Sequence, residues 1–308
     1  MLINSSLQLI ESTPLIELVN IHNGSGRVFG KAEFIQPGGS VKDRAALHII
    51  QDAYKSNVLK KGQPVIEMTS GNMGAGLAVV CNMLGNPFTA VMSDGNSRAR
   101  AKMLEAFGAK VVLVPQVDGE PGQVTGKDIE AATQKAISLA DETNALYIDQ
   151  FNNPSCVSAH YRSTGPEIWN DLEGNISAYV AAAGSGGTFT GASKYLKEKN
   201  SGIICCAVEP KGSQVLAGQP IINPKHIMQG IGYGVQLPHW KPELVDEYLV
   251  VDNEEAVHYR QILSEKEGLY VGYSAAANVC ASVKLIESCI LGDDPIVATI
   301  LCDTGLKY

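Results

Sequence analysis

Val65-Ile66-Glu67-Met68-Thr69-Ser70-Gly71-Asn72-Met73-Gly74 passes from a short apolar run, Val65 to Met68, through a polar turn into the helical pattern around Leu77 to Asn82. A buried strand that turns directly into a helix is the repeating unit of an α/β sheet, and the same alternation recurs on both sides. Phe88 to Met92, Val111 to Pro115, Ala178 to Ala183, Ile203 to Val208 and Ile296 to Leu301 read as further buried strands. Ser97 to Phe107, Gly126 to Asp141 and Thr190 to Lys199 have the apolar spacing and charged faces of helices covering a parallel sheet. The expected class is therefore α/β with crossover connections. Thr13 to Leu18 and Arg27 to Phe34, joined by the Gly-rich His22 to Gly26 turn, predict an antiparallel pair ahead of it. Asn152, Asn153 and Pro154 interrupt the pattern, which predicts a boundary near Gln150.

The chain has 308 residues, 45% hydrophobic and 18% charged, enough for two cores. Lys and Arg number 24 against 32 Asp and Glu, a net charge of −8 with no basic stripe, which argues against a nucleic-acid partner. No stretch has the roughly 18 uninterrupted apolar residues of a membrane helix, and Met1 to Ile10 lacks a signal-peptide layout. A cytoplasmic protein is expected. The seven cysteines (Cys81, Cys156, Cys205, Cys206, Cys280, Cys289, Cys302) lack C-x-x-C spacing and are expected to be buried free thiols, with no metal site.

Four turns carry the chemistry. Pro37-Gly38-Gly39-Ser40-Val41-Lys42-Asp43-Arg44 is a Gly-rich turn opening a helix, with Ser40 placed to cap it and Asp43 three residues on. That puts Lys42 in the first helical turn, where the macrodipole disfavours a cation. A broken local rule points to function, here an amine able to attack an aldehyde, although a solvated surface lysine is the plainer reading of this turn alone. Thr69 to Gly74 offers hydroxyls and N–H groups to an anion such as a carboxylate, or simply caps a crossover helix.

Ala183-Gly184-Ser185-Gly186-Gly187-Thr188 lets the backbone wrap a phosphate. It lacks the Gly-Lys-Ser/Thr of a nucleotide-triphosphate loop, and Phe189 stands where the dinucleotide fingerprint needs its last Gly. Val271-Gly272-Tyr273-Ser274-Ala275-Ala276 places Ser274 at what reads as another strand-to-helix junction. It mimics a hydrolase nucleophile elbow, but no His follows His258, so the order Ser, acid, His fails.

In order, these turns resemble the cysteine synthase and cystathionine β-synthase family, pyridoxal-phosphate enzymes of the tryptophan-synthase-β group (fold type II). The resemblance spans nearly the whole chain and leans to the cysteine synthases. It also runs through Ser12-Thr13-Pro14-Leu15, Gln150-Phe151-Asn152-Asn153-Pro154, His160-Tyr161, Thr164-Gly165-Pro166-Glu167-Ile168-Trp169, Val208-Glu209-Pro210, Gly230-Ile231-Gly232 and Asp303-Thr304-Gly305. It implies two open-sheet α/β domains with the cofactor between them. One is a smaller, mobile domain over 36–150 with the substrate-carboxylate loop, and the other is a larger domain over 1–35 and 151–308 with the phosphate cup.

By the same resemblance Lys42 is the catalytic lysine that binds pyridoxal 5'-phosphate. Asn72 bonds the ring hydroxyl, Gly184, Ser185, Gly186, Gly187 and Thr188 hold the phosphate, and Ser274 faces the pyridine nitrogen. Thr69, Ser70, Asn72 and Gln150 grip the substrate carboxylate, with Met73, Gly230 and Tyr233 in the substrate pocket. The implied reaction is β-replacement on a serine- or cysteine-type amino acid through an α-aminoacrylate, foremost cysteine synthesis from O-acetylserine and sulfide. A homodimer is implied, with the tail of a serine acetyltransferase as a candidate partner.

Met73 stands where cysteine synthases usually have Thr, Tyr233 where they usually have Ala, and Ala276 where Gly is common. Tyr233 resembles cystathionine β-synthases, yet Gly234 follows it instead of Asp. These departures leave open a thiol or water as second nucleophile, including a cysteine-consuming, sulfide-releasing reaction. Plain packing is an equal reading of Met73 and Tyr233. A non-catalytic binding module is the reading from another class, and Lys42, Asn72 and Ser274 argue against it.

Overall fold

A computed structural model describes residues 2–120 and 122–308, so Met1 of the N-terminal stretch lies outside it. The chain opens with β1 (Leu15–Glu17) and β2 (Arg27–Ala32). There follow α1 (Lys42–Lys55), β3 (Val65–Met68), α2 (Asn72–Leu84), β4 (Phe88–Ser93), α3 (Arg98–Ala106), β5 (Lys110–Val114), α4 (Gly126–Thr143) and β6 (Leu146–Tyr147). The second half runs α5 (Ser155–Arg162), α6 (Thr164–Asp171), β7 (Ala178–Ala182), α7 (Gly187–Lys199), β8 (Ile204–Pro210), β9 (Glu247–Val251), α8 (Asn253–Lys266), α9 (Tyr273–Glu287) and β10 (Ile296–Leu301).

Two compact units result: residues 2–10 with Gln36–Ser155, and Glu11–Ile35 with Cys156–Tyr308. Residues 2–10 and 151–155, expected with the larger unit, group with the smaller one. Ser155 Oγ donates to Asp52 on α1 at 2.9 Å, and Ile10 is buried.

The smaller unit is an all-parallel sheet in the order β5-β4-β3-β6. From β3 the chain steps outward to β4 and β5, then returns through α4 to place β6 on the other side of β3. Ala132, Ala136 and Ala140, four residues apart on one face of α4, lie against Ile66 and Val91. Small side chains let that helix sit close to the sheet.

The larger unit's sheet has the order β1-β2-β10-β7-β8-β9 and is parallel except for the antiparallel β1–β2 pair, in which Ile16 faces Gly30. From β7 the chain steps to β8 and β9, then crosses back through α9 to place β10 on β7's other side. The buried face of α9, including Ala275, Val279 and Val283, packs against Val180, Val297 and Leu301 of the sheet. Each sheet therefore has one switch point, between β3 and β6 and between β7 and β10. Open parallel sheets bind ligands beyond the carboxyl ends of the strands at such points.

Two expectations need correction. The segment before Ser274 is not a strand: Val271 makes only an isolated bridge to Thr304. The cysteines are not uniformly buried either, since Cys289 is exposed and Cys302 half-buried. Burial pushes the thiols of Cys81, Cys205, Cys206 and Cys280 up, so these four are inert packing groups. Among the described residues no helix is long and apolar enough to cross a membrane, and no cluster of metal-ligating side chains occurs.

Candidate active site

In the smaller unit both strands flanking the switch point end in predicted site residues. Thr69 to Asn72 follow β3, and Gln150 lies three residues beyond β6. Thr69 Oγ1 accepts from the Gly74 N–H at 3.2 Å and lies 3.5 Å from the Gly71 nitrogen, so a threonine hydroxyl shapes the turn; Gly71, the N-cap of α2, makes no side-chain cap. Ser70 Oγ lies 3.4 Å from an Arg100 guanidinium nitrogen, which adds positive charge beside the turn. Asn72 is the first residue of α2 and half-buried, while Met73, next to it, is buried.

Glu67 ties the two loops together. Its carboxylate accepts from the Asp149 N–H at 3.0 Å and the Gln150 N–H at 3.3 Å, so the acid on β3 fixes the turn that carries Gln150. Burial pushes the Glu67 carboxyl up to about 8, against the opposing effect of those two donors. Glu67 was not singled out from the sequence. Its signal was an acid inside the apolar run Val65 to Met68, where burial is costly unless a partner is built in.

Lys42 heads α1 in the same unit and is half-buried. The expected capping box takes another form. Val41, with helical backbone angles, is the N-cap and makes no side-chain cap; Ser40 Oγ accepts from the Lys42 N–H at 3.3 Å, and Asp43 reaches back to the Gly38 N–H at 2.5 Å. Asp43 thus closes the Gly-rich turn onto the helix it precedes and fixes the backbone on which Lys42 is mounted.

In the larger unit the glycine-rich turn follows β7 at the switch point. Gly186, the N-cap of α7, has φ +86°, a left-handed conformation that costs any other residue strain. Gly186, having no side chain, supplies no cap of its own to the N–H groups that open α7. Ser185 and Thr188 add hydroxyls, and the Gly187 N–H lies 3.5 Å from Ser185 Oγ. These N–H groups, two hydroxyls and the positive end of a 13-residue helix form a donor set that fits a phosphate monoester.

Ser274 lies in the first turn of α9, whose N-cap is Gly272. One turn on, Asn278 accepts from the Ala182 N–H at 2.8 Å and donates to Ile300 O at 2.9 Å. This polar residue in an Ala-rich helix pins α9 over the ends of β7 and β10. It thereby places Ser274 at the same end of the sheet as the Gly184 turn.

Gly230, Gly232 and Gly234 all have positive φ, and Tyr233 is 48% exposed. Tyr233 lines a small cavity of the larger unit with Glu209, Ser213, Leu216 and Leu237. Glu209 is buried and accepts from the Leu216 and Ala217 N–H groups, both at 2.9 Å, and burial raises its carboxyl above the ordinary range. Ser213 Oγ donates to Gly232 O at 2.9 Å, which ties the two sides of this irregular segment together.

α4 and α8 carry full capping boxes, Thr125 with Asp128 and Asp252 with Glu255. In α1, α2, α7 and α9, whose first turns hold Lys42, Asn72, Thr188 and Ser274, the N-cap residue itself supplies no side-chain cap, and the same is true of α3 and α6.

Comparison with known proteins accounts for these features together. The family model described as "Pyridoxal-phosphate dependent enzyme" matches residues 7–303. Cysteine synthase A of Escherichia coli (strain K12) is 38% identical over 307 residues, covering 97% of this chain and 91% of the relative. An O-acetylserine dependent cystathionine beta-synthase of Bacillus subtilis (strain 168) is 36% identical over 303 residues, covering 98% and 94%. The crystal structure of a hydrogen sulfide-producing enzyme from Fusobacterium nucleatum aligns with a TM-score of 0.91 at 32% identity, covering 100% of this chain and 98% of that one. The matches run over almost the full length, and the chain belongs to the pyridoxal-phosphate dependent enzyme family.

Proposed function

We propose that this enzyme catalyses β-replacement, forming cysteine and acetate from O-acetylserine and sulfide. The observation that carries the reading is the pair of loops beyond β3 and β6, in which Thr69, Ser70, Asn72 and Gln150 offer hydroxyl and amide donors at one switch point, braced by Glu67. Such a set suits the α-carboxylate of an amino acid. Lys42 is assigned to the cofactor's carbonyl carbon, Gly184 to Thr188 to its phosphate, Asn72 to its ring hydroxyl and Ser274 to its ring nitrogen.

Bound pyridoxal phosphate supplies electron withdrawal from the substrate's α-carbon. The chain's own residues do the rest. Lys42 Nζ takes the α-proton and later returns one to the same carbon. The carboxylate loop fixes the substrate so that its Cα–H faces that amine. Ser274, a neutral hydroxyl, does not protonate the ring nitrogen as a carboxylic acid would, which restrains charge build-up on the ring and favours loss of the β-group over transamination.

A second reading exchanges the β-group of serine or cysteine with a thiol, or releases sulfide. It is favoured by Tyr233, the half-exposed aromatic beside Glu209 and Ser213. The holoenzyme is assayed with O-acetylserine plus sulfide against cysteine plus a thiol. Faster turnover of O-acetylserine is expected, and faster consumption of cysteine overturns the first reading in favour of the second. We further infer a cytoplasmic homodimer, with an acetyltransferase tail as candidate partner. Light scattering of the purified protein tests the dimer.

A further inference from the structure

The helix that carries Ser274 begins differently from α2 and α7. Those two follow β3 and β7 through short turns, so a sheet sets where their first residues lie. α9 instead follows α8 through residues 267–272, where Val271 makes one isolated bridge, to Thr304. A side chain from α8 supplies what a strand would. Arg260 Nε donates to Val271 O at 2.9 Å and Nη2 to Gly305 O at 3.2 Å, so one guanidinium holds both the segment entering α9 and the segment leaving β10. Its central carbon lies 4.5 Å from the centroid of the Tyr270 ring and 4.4 Å from that of Tyr273. A planar cation is drawn to aromatic faces, and its fork of N–H groups matches two carbonyls at a fixed spacing.

The two segments are also fastened to each other. The Gly305 N–H donates to Tyr270 O at 2.9 Å, and the Gly272 N–H to Asp303 O at 3.0 Å. A Cβ at Gly305 would stand 2.8 Å from Tyr270 Cδ1, and one at Gly272 would strike the Asp303 carboxylate, so close packing holds the segments in register. Tyr308 Oη donates to Asp303 Oδ2 at 2.6 Å, and its ring meets Tyr273 edge-on. Tyr273 is the first residue of α9 and Ser274 the second. Asn278 fixes α9 one turn further on; the turn that holds Ser274 is fixed by this junction, which Arg260 ties to α8.

We propose that Arg260 is a positioning residue for Ser274: by holding Val271 O and Gly305 O together and lying against Tyr270 and Tyr273, it fixes the first turn of α9 so that the Ser274 hydroxyl meets the ring nitrogen of the cofactor. A hydrogen bond weakens steeply as its angle closes, so a single hydroxyl serves a ring nitrogen only if its helix turn is held. The proposal rests on the assignment of Ser274 to that nitrogen.

Equilibrium binding to the apoprotein is measured with pyridoxal phosphate and, in parallel, with its 1-deaza analogue, in which a C–H replaces the ring nitrogen and cannot accept from Ser274. The ratio of the two dissociation constants reads that one hydrogen bond. Ser274→Ala is expected to weaken pyridoxal phosphate about fivefold and to leave the analogue unchanged. Arg260→Leu should weaken pyridoxal phosphate alone, about three- to fivefold, with no further loss in a Ser274→Ala background. Arg260→Lys keeps the stem and the charge, so it should fold even if the leucine variant does not. Its ammonium lacks the fork that spans both carbonyls, and most of the same preference should be lost. An unchanged ratio in Arg260→Leu or Arg260→Lys, equal losses for both ligands, or additive losses in the double variant would overturn the proposal. A ratio unmoved by Ser274→Ala removes Ser274 from the ring nitrogen, and this inference with it.

Discussion

At the switch point of the smaller unit's sheet the chain presents side chains: the hydroxyls of Thr69 and Ser70, and the amides of Asn72 and Gln150. At the switch point of the larger unit's sheet it presents mostly backbone, with Gly186 left-handed and supplying no side-chain cap to α7. The order of the four parallel strands around each switch point is the same, and the chemistry differs. Side-chain donors on two loops can match a planar carboxylate and reject its neutral isosteres, provided that something fixes the loops, and Glu67 does so from β3. A backbone cup needs no such brace, because its donors are fixed by the helix that begins there. The first arrangement suits a substrate that comes and goes, and the second a cofactor that stays.

That division can be broken by substitution. The largest effect belongs to Lys42, the lysine assigned to the cofactor. Lys42→Ala should lower turnover by about 10³-fold or more, while the phosphate cup still retains cofactor in equilibrium dialysis. Loss of cofactor with normal residual turnover would dissolve the distinction.

Next comes Ser70→Ala, expected to raise KM for O-acetylserine about ten- to a hundredfold, as for a hydrogen bond to a charged group. Its affinity for pyridoxal phosphate should be unchanged, and its discrimination between amino acids and their amides should shrink. If cofactor retention falls instead, the smaller unit's loop is not a dedicated carboxylate site.

Tyr233→Ala should alter the product ratio from competing sulfide and thiol nucleophiles by about tenfold and at most roughly two-hundredfold. Release of the β-substituent, followed by stopped-flow spectroscopy, should be largely intact. A collapse of that first half-reaction with an unmoved product ratio would place Tyr233 with the donor substrate or the scaffold.

The last effect, on stability and not on turnover, concerns the brace. The folded-state value for Glu67, about 8, lies above the ordinary carboxyl value of 4.5, so the folded protein holds a proton that the unfolded chain releases. Its contribution to stability is present below pH 4.5 and is lost as pH rises toward 8, with a slope of at most about 1.4 kcal/mol per pH unit. Denaturant titrations from pH 5 to 9 should show a shallower decline for Glu67→Gln than for the parent protein. Equal slopes would mean that Glu67 is ionised throughout and that the Gln150 turn is held by a permanent charge.

Most strands legible in the sequence have apolar runs buried on both faces, Val65–Met68 and Ile296–Leu301 among them, while the half-buried edge strand β5 was legible from its apolar run Val111 to Val114 alone. β6, two residues long, and β9, a half-buried edge strand, gave no comparable signal. Val271 misled in the opposite direction, because an apolar residue before a helix need not join a sheet. The site loops were legible because glycine, serine and threonine between strand and helix have few other reasons to cluster. Their arrangement was not, since strand order depends on pairings far apart in sequence. The bracing groups, Glu67 and Asn278, were hidden because a single polar residue in an apolar run acquires meaning only once its distant partners, Gln150 and Ala182, are known.

One lysine, Lys42 at the head of α1, is assigned to the cofactor. Borohydride reduction of the yellow holoenzyme, followed by peptide mapping, tests it directly. A single pyridoxyl tag on Lys42, absent from Lys42→Ala, is expected. A tag on any other lysine, or no tag in a protein that turns over O-acetylserine, would contradict it.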